Sequence, residues 1–315
     1  MAKYRDALPQ LSGATFLSDG GIETTLVFLE GFDLPYFAAF HLLKDTAGEL
    51  ALRNYFAGYA ALARQHGVGF VLESPTWRAS ADWGAKLGYS ADEMRDVNRR
   101  AIGLLHEIRA QHESAATPMV VSGCIGPRGD GYNPESFMDA TEAERYHALQ
   151  ATTFRDADAD MVTAITMTYP AEAIGLTRAA GAAGMPVAIS FTVETDGRLP
   201  NGQTLREGIE EVDAATGGAP AYYMINCAHP THFATALPPG AAWTARIRGI
   251  RANASTKSHA ELDQATELDF GNPAELAQQY RDLGARLPNL SVLGGCCGTD
   301  QRHLEAIAAA WAASR

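Results

Sequence analysis

TFLSDGGIETT, residues 15–25, opens on a short apolar run and turns at two glycines. A dinucleotide-binding sheet would carry GxGxxG here, with backbone amides cradling a pyrophosphate at a helix N-terminus. SDGGIETT lacks that spacing, so an open, doubly wound sheet loses its main support. The rest of the chain points to another architecture. Short, nearly continuous apolar runs recur as GFVLES (69–74), PMVVSG (118–123), MVTAIT (161–166), VAISF (187–191), YYMINC (222–227), RIRGIRAN (246–253) and LSVLGG (290–295). Such runs suit parallel strands covered on both faces. Eight of them, alternating with eight helix-like stretches and no linker, predict a single (β/α)8 TIM barrel forming one domain over residues 1–315.

Among the helix-like stretches, 52–67 closes on Gly67. The stretch 90–112 begins at Ser90 with Glu93 three residues on, a capping box, and 141–159 repeats the pattern with Thr141 and Glu144. The loops after the strands carry the active site of a barrel. Those after the first, third, fifth and seventh runs are rich in Gly, Pro, Asn and Asp, and are expected to cover the mouth.

The 315 residues are 46% hydrophobic and 20% charged, enough for a sizeable core. A net charge of −12 argues against nucleic acid or an anionic membrane as the main partner. No window approaches the roughly 18 apolar residues of a membrane span. The segment MAKYRDALPQLSGATF has no signal-peptide core, so a cytoplasmic, thiol-reducing location is the expectation. Homo-oligomerisation is left open.

SVLGGCCGTD (291–300) sets two of the four cysteines side by side, with Gly294, Gly295 and Gly298 to let the backbone bend. In a regular strand their side chains would point to opposite faces. Cys227 ends the sixth run, and Cys296 and Cys297 end the eighth, so a barrel brings three sulfurs to one face. Three thiolates on zinc leave a fourth tetrahedral position open, as in catalytic sites. So anionic a centre is a poor Lewis acid for carbonyls, yet it still ionises a bound thiol, which suits alkyl transfer to sulfur. A vicinal Cys296–Cys297 disulfide, or simple burial, is the alternative. Cys124 reads as a small buried hydrophobe.

DGG (19–21), GCIGPRG (123–129), SFT (190–192), NC (226–227) and GGCCGT (294–299), in this order, resemble the zinc-dependent homocysteine S-methyltransferase family from about Phe16 to Ala308. The resemblance implies a (β/α)8 barrel, zinc held by Cys227, Cys296 and Cys297, and methyl transfer from a sulfonium or quaternary ammonium donor to homocysteine, giving methionine. Its partners are then a small thiol and a cationic methyl donor. Two departures stand out. Family members usually carry FET at the end of the fourth strand, where the glutamate holds the amino group of homocysteine. Matching Asp160 and Glu172–Ala173 puts Ile165 at that position. LESPTW (72–77) also replaces a TNTY-like segment. A different thiol acceptor is therefore a second reading, and a non-catalytic zinc protein a third, which a fourth sulfur from Cys124 would favour.

An onium donor calls for aromatic faces and carboxylates. Trp77, with Glu73 and Trp83 close by, is a candidate, and Tyr36 and Phe37 are further ones, although each ring suits loop packing equally. Asp19 is the stronger candidate for orienting substrate. Glu23 also suits the first turn of a helix. Asn226 and Thr192 read either as substrate contacts or as local hydrogen bonding, and His229 as structural.

Overall fold

The protein, seen in a computed structural model, is described over residues 2–132 and 136–314. Eight parallel strands close in chain order: β1 Phe16–Leu17, β2 Gly69–Glu73, β3 Met119–Ile125, β4 Met161–Met167, β5 Val187–Phe191, β6 Tyr222–Asn226, β7 Ile247–Ala252 and β8 Val292–Gly295. Closure runs through Phe16 beside Val292 and Leu17 beside Leu293. This is a (β/α)8 barrel, as the apolar runs predict.

Seven helices of twelve or more residues surround it among the described residues: α1 Thr46–His66, α2 Ala91–His112, α3 Ala140–Asp156, α4 Pro170–Ala182, α5 Leu205–Thr216, α6 Pro273–Gly284 and α7 Gln301–Ala312. The eighth expected helix is missing. Between β6 and β7 the chain makes only short turns, Pro230–Phe233, Ala234–Ala236 and Ala242–Arg246. Pro230, Pro238 and Pro239 withhold backbone donors and fix φ, so no continuous helix forms there.

The expected capping box opens α2: the Ser90 hydroxyl accepts from the Glu93 amide at 3.3 Å, and Glu93 accepts from the Ser90 amide at 2.8 Å. In α3 the cap lies earlier than Thr141. Asp139 accepts from the Glu142 amide at 2.8 Å, an N-cap as good as threonine and reached first.

Inside the barrel, side chains stack by the period of two. Phe16, Val71, Val120, Met161, Ala188, Tyr222 and Val292 form an apolar floor. Two residues further along β1 to β5 the layer turns polar, with Ser18, Glu73, Ser122, Thr163 and Ser190 all buried. Another step reaches the C-terminal mouth. The long β1, β3 and β7 loops, and the shorter β2 loop, line a cavity there; the β5 loop does not. Residues 133–135 of the β3 loop lie outside the described residues. No helix among the described residues is long and apolar enough to cross a membrane.

Candidate active site

Asn226 closes β6, and Cys227 follows with φ at +54°. β8 ends at Gly295, and Cys296 and Cys297 turn off the strand ahead of Gly298, whose φ of +79° needs glycine. The Sγ atoms of Cys227, Cys296 and Cys297 all lie within 4.8 Å of one another. Cys227 and Cys296 are joined as a disulfide with Cα atoms 5.4 Å apart, and Cys297 is a free thiol. The pairing thus bridges β6 and β8 rather than the neighbours Cys296 and Cys297. Burial, and then the charge of Glu23, push the Cys297 thiol up to about 11. The DGG turn packs directly beneath: a Cβ on Gly21 would strike the Cys296 carbonyl and the Thr24 hydroxyl.

The left-handed Cys227 is over-determined by its neighbours. Its amide donates to the Arg251 carbonyl at 3.0 Å. Its carbonyl accepts from Asn253 Nδ2 at 3.0 Å and lies 2.5 Å from His259 Nε2. Asn226 supports the same corner from below. Its Oδ1 accepts from the Thr166 amide at 2.9 Å and the Ser190 hydroxyl at 2.6 Å, and its Nδ2 donates to Thr166 Oγ1 at 2.9 Å. These bonds hold Thr166, a β-branched residue, at φ +66°. Asn226 is fully buried and faces the strand ends, not the cavity. Asn226→Ala leaves those groups unpaired, and the urea midpoint is expected to drop by the equivalent of about 1–3 kcal/mol.

A cavity of about 440 Å³ opens beside the sulfurs. Asp19, Glu23, Glu73 and Trp77 line it; Thr192 does not. Thr192 is fully buried and its hydroxyl has no partner among the described residues. Cys124 lies in the cavity wall, its thiol pushed well up by burial, but outside the three-sulfur group. Ile165 also faces the cavity.

Arg251 organises the floor. Its NH1 lies 2.7 Å from Asp19 and 2.5 Å from Glu73, and further bonds reach Ser18 and the carbonyls of Gly20 and Gly295. All three charged groups are buried. Burial lowers the Arg251 pKa, but Asp19 and Glu73 outweigh it and hold the guanidinium charged. Glu73 is raised by burial against the pull of Arg251. Tyr55 donates to the second Asp19 oxygen at 3.0 Å.

Glu23 enters the cavity from the first turn after DGG. Burial pushes its carboxyl up to about 7; its own amide opposes this and Asp19 adds to it. Linkage sets the sign of the resulting pH effect. Between pH 4.5 and 7 the unfolded chain loses this proton while the folded chain keeps it, so stability falls as pH rises. Glu23→Gln is expected to raise the denaturation midpoint at about pH 8 and to leave it unchanged at about pH 4.

The aromatic residues are arranged differently from the expected onium box. The Arg78 guanidinium lies 4.0 Å from the Trp77 ring and 3.8 Å from the Trp83 ring, and Lys86 covers Trp83 at 3.8 Å. The chain's own cations thus occupy these rings. Tyr36 packs against Trp83, with centroids 5.9 Å apart, and Phe28 and Phe37 line the mouth. The sequence reading missed Tyr132. Its hydroxyl donates to Cys227 Sγ at 3.4 Å and lies 3.9 Å from Cys297 Sγ, while its ring sits 4.1 Å from that of His259. It missed Arg78 and Arg251 as well. His229 caps a short helix through Thr231.

A barrel whose mouth gathers three cysteine sulfurs beside an acid-lined cavity defines a class, and the sequence agrees: residues 16–311 match the homocysteine S-methyltransferase family. The chain belongs to that family and is a methyltransferase. Its fold is shared with the homocysteine methyltransferase MmuM from Escherichia coli. The oxidized form of MmuM aligns over 98% of this chain and 99% of its own, with a TM-score of 0.74 and 19% identity. The metallated form gives 0.71 and 18%, over 94% and 96%, and the apo form 0.65 and 16%, over 97% and 98%. No curated protein matches the chain in sequence.

Proposed function

We propose that Cys227, Cys296 and Cys297 hold a zinc ion, and that the cavity beside them binds a thiol, homocysteine by default, and a cationic methyl donor. The convergence of three sulfurs on a cavity wall, with Cys124 outside the group, carries this reading. The fit is physical. Zinc–sulfur bonds of about 2.3 Å in a tetrahedron separate sulfurs by roughly 3.8 Å, so the bonded pair Cys227 and Cys296 would part only slightly to hold the ion. Three soft thiolates also suit zinc over hard cations. The Cys227–Cys296 bond must first be reduced. MmuM, of the same fold, has a metallated form.

When bound, the zinc supplies the positive charge that ionises a thiol near neutral pH. The chain's own residues do the rest. The Tyr132 hydroxyl, beside two of the sulfurs, is placed to hydrogen-bond an incoming sulfur. Seven carboxylates and only two guanidinium groups line the cavity, a field that draws in an onium cation. Phe28 and Phe37 place exposed apolar rings at the mouth. The acceptor sulfur then attacks the donor methyl in line: a carbon–sulfur bond forms as the donor's carbon–onium bond breaks, and the electron pair neutralises the onium centre.

The test is a matrix of reduced, zinc-loaded protein with homocysteine and other thiols against S-methylmethionine, betaine, S-adenosylmethionine and dimethylsulfoniopropionate, with products followed by mass. Methionine from homocysteine with one of these donors is expected. No methylated thiol from any pairing would overturn the reading. Ile165 in the cavity wall favours a second version, in which another thiol is the better acceptor.

A further inference from the structure

The deep carboxylates of the cavity are not equivalent. Asp19 and Glu73 share one guanidinium, that of Arg251, and Asp19 also accepts from Tyr55. Their charge is balanced within the protein. At the end of β4 the wall is Ile165, where an ammonium would find no partner. Glu23 lines the same cavity, and no side chain among the described residues bonds to its carboxylate.

Arg78 is the complementary case. It lines the cavity and is only 6% exposed, wedged between Trp77 and Trp83. A guanidinium has five N–H donors. Here NH1 donates to the Gly129 carbonyl at 3.0 Å, NH2 is 3.7 Å from Asp130, beyond hydrogen-bond reach, and Nε has no partner among the described residues. Asp130 gives the guanidinium one long ion pair, and the remaining donors can take a second anion. Glu23 and Arg78 feel each other's charge, yet no ion pair within 4.0 Å joins them. The cavity wall thus carries a carboxyl group with no side-chain partner and a guanidinium with donors to spare.

We propose that Glu23 and Arg78 form the receptor for the α-amino-acid head of the acceptor thiol, with Glu23 taking the ammonium and Arg78 the carboxylate. An ammonium and a carboxylate on one carbon would pair with these two groups, in the same cavity that the cysteines line. The assignment rests on the proposed thiol site and names which thiols it takes: those of an intact amino acid, not bare mercapto acids or mercapto amines.

Titration calorimetry of the reduced, zinc-loaded protein tests this with L-homocysteine, 4-mercaptobutanoate, which lacks the ammonium, and 3-mercaptopropylamine, which lacks the carboxylate. Wild type is expected to bind homocysteine at least about tenfold more tightly than either, the scale of one charge-assisted hydrogen bond. Glu23→Gln should erase the preference over 4-mercaptobutanoate and keep the one over 3-mercaptopropylamine. Arg78→Lys, which keeps the charge but not the planar fork, should weaken the second preference selectively. Equal binding of the three thiols by wild type, or full retention of the ammonium preference by Glu23→Gln, overturns the assignment. Methyl transfer on the same preparations separates the two proposals. Transfer without head-group preference sinks the receptor alone; the predicted preference without any transfer sinks the methyltransfer reading of the cavity.

Discussion

Cys297→Ala is expected to abolish zinc binding at the proposed three-cysteine site while leaving the barrel intact. Cys297 lies in a turn beyond β8, partly exposed to the cavity, and its sulfur supports no core packing. Its loss should therefore change the stability of the metal-free protein by no more than about 0.5 kcal/mol, the scale of substitutions away from core features. Bound zinc should behave quite differently. Removing a partner one shell out from a metal costs about 10–100-fold in affinity or activity, so losing a ligand itself should exceed that range. Two further considerations sharpen the result. With Cys297 gone, Cys227 and Cys296 remain as a pair able to oxidise, which withdraws both from coordination. Cys124 cannot substitute, because its sulfur lies outside the group. Zinc per chain after desalting, measured by atomic emission with a reductant present, should fall from near one to near zero, and methyl transfer should fall with it. Turnover surviving in zinc-free Cys297→Ala would refute the mechanism.

Arg251→Leu should be the most destabilising single change at the site. Asp19 and Glu73 would stay buried beside one another with no cation between them. Breaking a buried ion pair by removing one partner costs about 3–5 kcal/mol, because the remaining charge is uncompensated. Here two charges remain, and the carbonyls of Gly20 and Gly295 lose donors as well. The deficit should depend on pH in a definite direction. Without Arg251, burial and the neighbouring charge of Asp19 raise the Glu73 carboxyl further in the folded state. The folded variant then holds protons that the unfolded chain releases, so its stability declines as pH rises through that window. Urea midpoints should lie far below wild type at about pH 8, and the gap should narrow towards about pH 5. A pH-independent loss of about 1 kcal/mol would mean that water, not Arg251, solvates the two carboxylates.

The strands were readable because a buried parallel strand is apolar throughout, and Val187–Phe191 matches its run end to end. The absent helix after β6 was also announced, by Pro238-Pro239-Gly240, but the alternation of runs overrode that local signal. In the site, the cysteines were legible as a doublet at one strand end and a single residue at another. The Asp19–Arg251 pair was not, since its members are 232 residues apart and nothing local to RIRGIRAN marks the arginine as buried. Thr192 and Asn226 show a different limit. Each sits at a strand end, where register and the left-handed turns at Thr166 and Cys227 decide whether a side chain meets the cavity or the core. Tyr132 and Arg78 reach the site from loops, and loop paths are not written in periodicity.

Zinc K-edge X-ray absorption on the reduced protein, before and after adding the acceptor thiol, is the most direct test of the proposed three-cysteine centre. Three sulfurs at about 2.3 Å with one lighter ligand, becoming four sulfurs when homocysteine is added, is the expected result. Four sulfurs in the absence of added thiol, or a first shell unchanged by it, would rule out an open zinc position that takes the acceptor.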